Sequence, residues 1–171
     1  MEQTIRNLSH EHKSFIRELF KDKAVAKYII VEDEFKEDAG DLVDFWLGEA
    51  KKNAGVTFIV CAIEPATFFR PEREVPCGFI SFERRTQHSG RITYALKEAF
   101  RGHGYIKTGL KYILNLLKSN WQIQTVEADI DKENIASEKI VKILGFSVNK
   151  QITVVDLERG GKLRHIWSKQ I

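Results

Sequence analysis

The chain has 171 residues, 43% of them hydrophobic and 30% charged, and 27 basic against 24 acidic side chains leave a net charge of +3. That length suits a single domain with a real core, spanning residues 1–171, and the composition excludes a disordered or fibrous chain. So small a basic excess argues against a nucleic-acid surface, and no window reaches the ~18 apolar residues of a membrane span. Met1–Leu8 is polar and holds no signal-peptide core. Cys61 and Cys77 sit in apolar surroundings and make no disulfide framework, so a reducing, cytoplasmic home is expected.

In chain order, Thr4–Leu8 is a short strand, and Ser9 caps a helix that runs to about Lys23 with Phe15, Ile16, Leu19 and Phe20 as its apolar stripe. A second helix spans about Asp41–Lys52, with Leu42, Phe45, Trp46 and Leu47 on its buried side. Val56–Ile63 and Val75–Phe82 read as strands bracketing a loop that holds Pro65 and Pro71. After a turn at Gln87–Gly90, Arg91–Leu96 is another strand. From Gly104 to Leu117 the residues Ile106, Leu110, Ile113, Leu114 and Leu117 recur at helical spacing. Gln124–Ile130 alternates as a strand, with Glu127 and Asp129 on its polar face. A helix from about Asn134 to Leu144 stops at Gly145, and strands Phe146–Leu157 and Lys162–Ser168 join at a hairpin over Glu158–Gly161. The order describes an α/β chain with a mixed sheet and helices on its faces.

The segment richest in chemistry is the strand Arg91–Leu96, a short loop, and then Arg101-Gly-His-Gly-Tyr-Ile106 at a helix start. Glycines let the backbone turn tightly and come close to a ligand, and a helix N-terminus offers unpaired N–H groups and partial positive charge to an anion. Arg101, His103, Lys107 and Lys111 add cationic groups at the same turn. This is the physical make-up of a pyrophosphate cradle. It lacks the spacing of a Walker loop, and Lys107 stands where G-x-G-x-x-G requires its third glycine.

Read with Asn134-Ile-Ala-Ser137 and Leu144-Gly145-Phe146, this turn resembles the GNAT superfamily of N-acetyltransferases. The ribosomal-protein N-terminal acetyltransferase-like branch is the most similar, with its R-G-x-G-Y-A and N-x-x-S…L-G-F motifs. The resemblance implies a mixed, mostly antiparallel twisted sheet of about seven strands with helices on both faces. It also implies acetyl-CoA as cosubstrate, no metal, and an amine acceptor that is a protein N-terminus or a small molecule. The pyrophosphate would rest on the turn of Arg101, Gly102, His103, Gly104, Tyr105, Ile106 and Lys107. The pantetheine arm would pair with Tyr94, Ala95 and Leu96 as an added strand, and Asn134 would contact it from the other side while capping its own helix.

Two departures from the family stand out. Ile106 replaces the last small residue of R-G-x-G-Y-A, which predicts a more crowded approach to the phosphate. Many relatives carry a tyrosine seven residues after the asparagine as the acid for the leaving thiolate, and here that position is Val141. The resemblance offers Ser137 in its place. For the base it points to Asp129, five residues before the asparagine, with Glu83, Glu98 and Glu127 as rivals. His10 and His12 make a poor metal pair two residues apart, and neither cysteine has a partner at zinc spacing. Phe68-Phe69-Arg70 in the proline loop is either a lid over the acceptor or a patch that packs down.

The expectation is therefore an N-acetyltransferase, with homodimerisation left open, that moves acetyl to a primary amine by direct attack. Its rivals are a catalytically silent coenzyme A-binding module and a phosphate- or nucleotide-binding regulatory domain.

Overall fold

In the computed structural model, which describes residues 2–29, 35, 37–156 and 160–171, the chain order becomes seven strands and five α-helices among the described residues. The strands are β1 (Gln3–Asn7), β2 (Gly55–Glu64), β3 (Arg73–Arg84), β4 (Ser89–Leu96), β5 (Thr125–Asp131), β6 (Ser147–Asp156) and β7 (Gly160–Gln170). The helices are α1 (Lys13–Lys21), α2 (Lys23–Ala26), α3 (Asp41–Lys51), α4 (Tyr105–Trp121) and α5 (Ile135–Ile143). Of the expected hairpin turn, Glu158 and Arg159 lie outside the described residues.

The strands form one mixed, mostly antiparallel sheet in the order β1-β2-β3-β4-β5-β7-β6. β1 is antiparallel to β2, β7 is antiparallel to both β5 and β6, and β4 runs parallel to β5. A parallel pair needs a crossover connection, which α4 supplies. The β4–β5 register covers Ser89–Arg91 against Thr125–Glu127, whereas β4 continues to Leu96 and β5 to Asp131.

Contacts divide the chain into two compact units, Met1–Ser81 with Tyr94–Gly109, and Phe82–Thr93 with Leu110–Ile171. In the first, Phe15, Ile16 and Leu19 of α1 are buried, and Phe20 stacks on Phe79 at 6.0 Å between ring centroids. Trp46 meets the same Phe79 at 5.1 Å, so one β3 side chain gathers α1 and α3 onto the sheet. The single helix expected over Ser9–Lys23 is broken. His10–His12 is a 3-10 turn in which His12 Nδ1 accepts the Ser9 N–H at 3.1 Å, and α1 ends at Lys21. Asp22 leaves helical geometry (φ −64°, ψ 112°) and its carboxylate accepts the Ala24 N–H at 2.8 Å, starting α2. A short acidic side chain that bonds nearby amides competes with helix continuation at this point.

The buried face of α3 also differs from expectation. Leu42 and Val43 are buried with Trp46 and Leu47 packed against the same core, whereas Phe45 falls outside that stripe and is 46% exposed, against Phe35 at 5.4 Å. Cys61 and Cys77 are both buried and free, and the Cys77 thiol donates to the Val60 carbonyl at 3.2 Å. Burial raises the Cys61 thiol to about 11 and the Cys77 thiol to about 12. Both stay protonated at neutral pH and lack the thiolate that attacks disulfides. Ellman's reagent should therefore release no colour from the native protein at pH 8 and should titrate both thiols once denaturant is added.

In the second unit, Leu110, Ile113, Leu114 and Leu117 form the buried stripe of α4. The helix extends beyond the expected Leu117 to Trp121, whose ring meets Phe82 edge-on at 5.9 Å. Along β5, Val126, Ala128 and Ile130 are buried while Glu127 and Asp129 are half-buried, as their alternation requires. At the end of α5 the Phe146 N–H donates to the Val141 carbonyl and the Gly145 N–H to the Lys142 carbonyl, both at 3.0 Å, a Schellman closure.

Candidate functional site

The turn that opens α4 is built from its backbone upward. Lys97 follows β4, and its N–H still reaches across to the Cys77 carbonyl of β3 at 2.8 Å. Glu98–Phe100 then makes one 3-10 turn, closed by the Arg101 N–H on the Glu98 carbonyl at 3.1 Å. From there the chain alternates: Arg101 is extended, and Gly102 and Gly104 have φ of +82° and +83°. Residues with side chains rarely hold that region, so the glycines are required by conformation. A Cβ built on either would meet nothing within 4 Å, so the space beside both is open. The first ladder bond of α4 runs from Thr108 N–H to Gly104 C=O at 3.0 Å, which leaves the preceding amides upstream of the helical ladder. A run of amides at a helix start can hold an anion.

The side chains around this turn divide into anchors and charges. Tyr105 is 1% exposed, with its ring near Phe100 at 6.3 Å and His103 at 6.0 Å, and burial raises its hydroxyl pKa. It fastens the helix start to the core. Ile106 is likewise buried, so the carbons it adds to the family pattern go into the core, and the crowding expected of it does not arise there. The Arg101 guanidinium donates to the Leu96 carbonyl from Nε at 3.4 Å and Nη2 at 3.3 Å, tying the turn to the end of β4. His103 is exposed and Lys107 half-buried at the same turn.

Sequence reasoning missed three residues that hold the approach to this turn. Asp22 accepts the Glu98 N–H at 3.3 Å through the carboxylate whose other oxygen caps α2. Glu18 accepts from Lys97 Nζ at 3.0 Å. The N-cap signal at Asp22 was legible, while the Glu18–Lys97 pair, 79 positions apart, had no local signature. Gly78 of β3 was missed as well, although a Cβ there would stand 2.3 Å from the Ala95 carbonyl. Tyr94, Ala95 and Leu96 close β4 and lead directly into this segment.

In the other unit the structure brings Asp129, Asn134 and Ser137 onto β5 and the first turn of α5. Asn134 Oδ1 accepts the Ser137 N–H at 3.1 Å, which establishes its capping role and leaves its Nδ2 as a donor. Val141 is fully buried, so the position of the family tyrosine is a core position here. Asp129 accepts from Arg91 Nη1 at 3.0 Å, and Arg91 also reaches Glu83 at 3.2 Å. Glu83 and Asp129 are thus joined by one guanidinium, while Glu98 is exposed in the first unit. A groove of about 490 Å³ in the second unit is lined by Leu114, Ile143 and Leu144 with Lys111, Lys118 and Lys169. Of the expected cations only Lys111 borders it. Among the described residues no group of His, Cys, Asp and Glu could hold a metal, and no helix is long and apolar enough to cross a membrane.

Comparison with known proteins agrees with this geometry. The family described as acetyltransferase (GNAT) domain matches residues 3–147. No curated protein matches the sequence. Among solved structures, a ribosomal L7/L12 alpha-N-protein acetyltransferase in complex with coenzyme A is similar at 14% identity and TM-score 0.82, covering 99% of this chain and 94% of that one. A spermidine N-acetyltransferase from Vibrio cholerae in complex with coenzyme A and spermine is similar at 15% identity and TM-score 0.79, covering 98% and 95%. A ribosomal-protein-S5-alanine acetyltransferase from Vibrio fischeri is similar at 14% identity and TM-score 0.79, covering 99% and 93%. The structural likenesses are of fold, and the family match carries the activity: the chain belongs to the GNAT acetyltransferase family and is an acetyl-CoA-dependent acetyltransferase.

Proposed function

We propose that this chain is one catalytic domain that acetylates a primary amine by direct attack of the amine on the acetyl thioester, working in the cytoplasm, with homodimerisation left open and no step assigned to a metal. The observation that carries the cofactor half is the pair of positive-φ glycines, Gly102 and Gly104, beside open space at the start of α4. The turn from Gly102 to Lys107 would hold the pyrophosphate, with Arg101 bracing it against Leu96. Tyr94, Ala95 and Leu96 would offer main-chain groups to the pantetheine arm, and Asn134 its Nδ2. Buried, free cysteines support the reducing location.

Acetyl-CoA supplies an activated carbonyl with a thiolate leaving group. As the C–N bond forms and the C–S bond breaks, the amine must lose a proton and the sulfur must gain one. Backbone N–H groups at the end of β4 would face the transient oxyanion. Asp129 is the proposed acceptor of the amine proton. Because it already holds Arg91, the proton would reach it through water or by competition with that ion pair. Ser137 is the proposed hydroxyl at the departing sulfur, in a chain whose Val141 offers none. The structures similar to this one are named for a ribosomal-protein N-terminus and a polyamine, which supports an amine acceptor without choosing its class.

The test is calorimetric titration with acetyl-CoA, followed by thiol release over a panel of peptides and small amines. Saturable binding with release on at least one acceptor is expected. No binding at millimolar acetyl-CoA would sink the cofactor assignment, and binding without release on any acceptor would identify the silent module. In Ser137→Ala, kcat should fall on the order of 10²-fold with the KM for acetyl-CoA held. An unchanged kcat would remove Ser137 from the reaction.

A further inference from the structure

We propose that Glu138 and His165 are positioning residues which set the first turn of α5, and through it the acetyl-CoA contacts of Asn134 and Ser137; this rests on the cofactor reading above. Glu138 is a carboxylate only 8% exposed, and its Oε1 lies 2.6 Å from His165 Nδ1 on β7. A buried carboxylate is costly to keep unless it is hydrogen-bonded, so the pair is held together by the penalty of separating it.

Its location gives the pair a function beyond packing. Glu138 directly follows Ser137, and its N–H donates to the Asn134 carbonyl at 3.1 Å, the bond that begins the α5 ladder. Asn134 in turn holds the Ser137 N–H through Oδ1. Asn134, Ser137 and Glu138 therefore form one closed turn; the Asn134 N–H joins it to the Asp131 carbonyl at the end of β5 at 2.8 Å, and the Glu138 side chain ties it to β7. One helical turn on, Lys142 stands over the Trp167 ring at 5.2 Å, with its Nζ 3.8 Å from Glu138 Oε2. Residues four apart on a helix thus meet residues two apart on a strand, matching the periods of the two elements. The Lys142 contact lies beyond the turn, so of these two side-chain contacts with β7 it is that of Glu138 that bears on where Ser137 sits. With Nδ1 occupied by Glu138, the bond also fixes which edge of the imidazole faces α5.

The experiment uses four variants of the full chain: His165→Leu, His165→Asn, His165→Gln and Glu138→Leu. Asparagine places its amide nitrogen near the Nδ1 position, and glutamine places it near Nε2. In His165→Leu and Glu138→Leu the KM and Kd for acetyl-CoA should rise about tenfold, as expected when a binding group is displaced without being removed. kcat at saturation should fall as well, toward that of Ser137→Ala, because the displaced turn carries the hydroxyl assigned to the departing sulfur. His165→Asn should recover most of the affinity and His165→Gln should not. Melting temperature is followed alongside, with Ile16→Val as a variant of lowered stability in the other unit, whose KM should stay at the wild-type value. Folded Leu variants with wild-type KM, or equal rescue by asparagine and glutamine, would overturn the positioning role. Hydrogen exchange of the α5 amides separates the two levels of the argument. Faster exchange at residues 137–138 in His165→Leu with unchanged affinity would refute the inference alone, whereas a wild-type protein that binds no acetyl-CoA would refute the cofactor reading and the inference with it.

Discussion

Replacing Gly104 with valine should leave a folded protein that has lost coenzyme A. At φ +83° a β-branched side chain is strained by about 1–2 kcal/mol. The new methyl groups meet no protein atom near their Cβ, so the cost stays local and the fold survives. On the proposed reading they occupy the open space that the pyrophosphate needs beside the start of α4. An anion that must approach the amides there to about 3 Å cannot share it. Affinity for coenzyme A should fall roughly 100-fold, equivalent to about 2.7 kcal/mol. Gly48→Ala, in a helix and with open space around it, is the matched control and should bind as the wild type does. Calorimetry on the two variants decides the matter: an affinity within twofold of wild type for Gly104→Val would make the turn a simple connection.

The largest loss of stability is expected from Phe79→Ala. Phe79 is fully buried, and its ring is the one that both Phe20 of α1 and Trp46 of α3 pack against. Truncation removes buried carbons and leaves a cavity beside two aromatic partners, Phe20 and Trp46, too rigid to close it, a change worth about 3–5 kcal/mol. For a chain of this length that corresponds to a fall in Tm of roughly 6–20 °C. Calorimetric melting measures it directly. A shift below about 2 °C would mean that α1 and α3 are held by other contacts.

These two positions also mark where reading the chain succeeds and where it stops. The α1 stripe, the alternation of β5 and the glycines of the α4 turn are local patterns, and each appears in the structure with the predicted residues on the predicted side. The family resemblance rests on the same short-range letters, and the match over residues 3–147 agrees with it. Helix breaks were harder. Asp22 ends α1 because its carboxylate serves both Ala24 and Glu98, and the second partner lies far along the sequence. Phe45 was expected in the core from its spacing beside Leu42 and Trp46, yet the stripe of α3 is centred on Leu42, Val43 and Trp46. Phe68 and Phe69 are 96% and 89% exposed, so of the two alternatives for that loop, packing down is excluded. The catalytic assignments were the least legible. Proton transfer depends on which partner a carboxylate has taken, and the ion pairing of Asp129 with Arg91 joins residues 38 positions apart.

The proposed cradle would be made of main-chain amides and of glycines whose merit is the absence of a side chain. Such a site stores almost no information in residue identity. A lineage can rewrite most of its alphabet and still keep the donor substrate, provided two positions stay free of carbon beyond Cα. The preference for one acceptor over another has to be written elsewhere, in side chains that each descendant can redraft. On that reading, donor binding and acceptor choice would be encoded in two different languages, and only the second would be retuned by ordinary substitution.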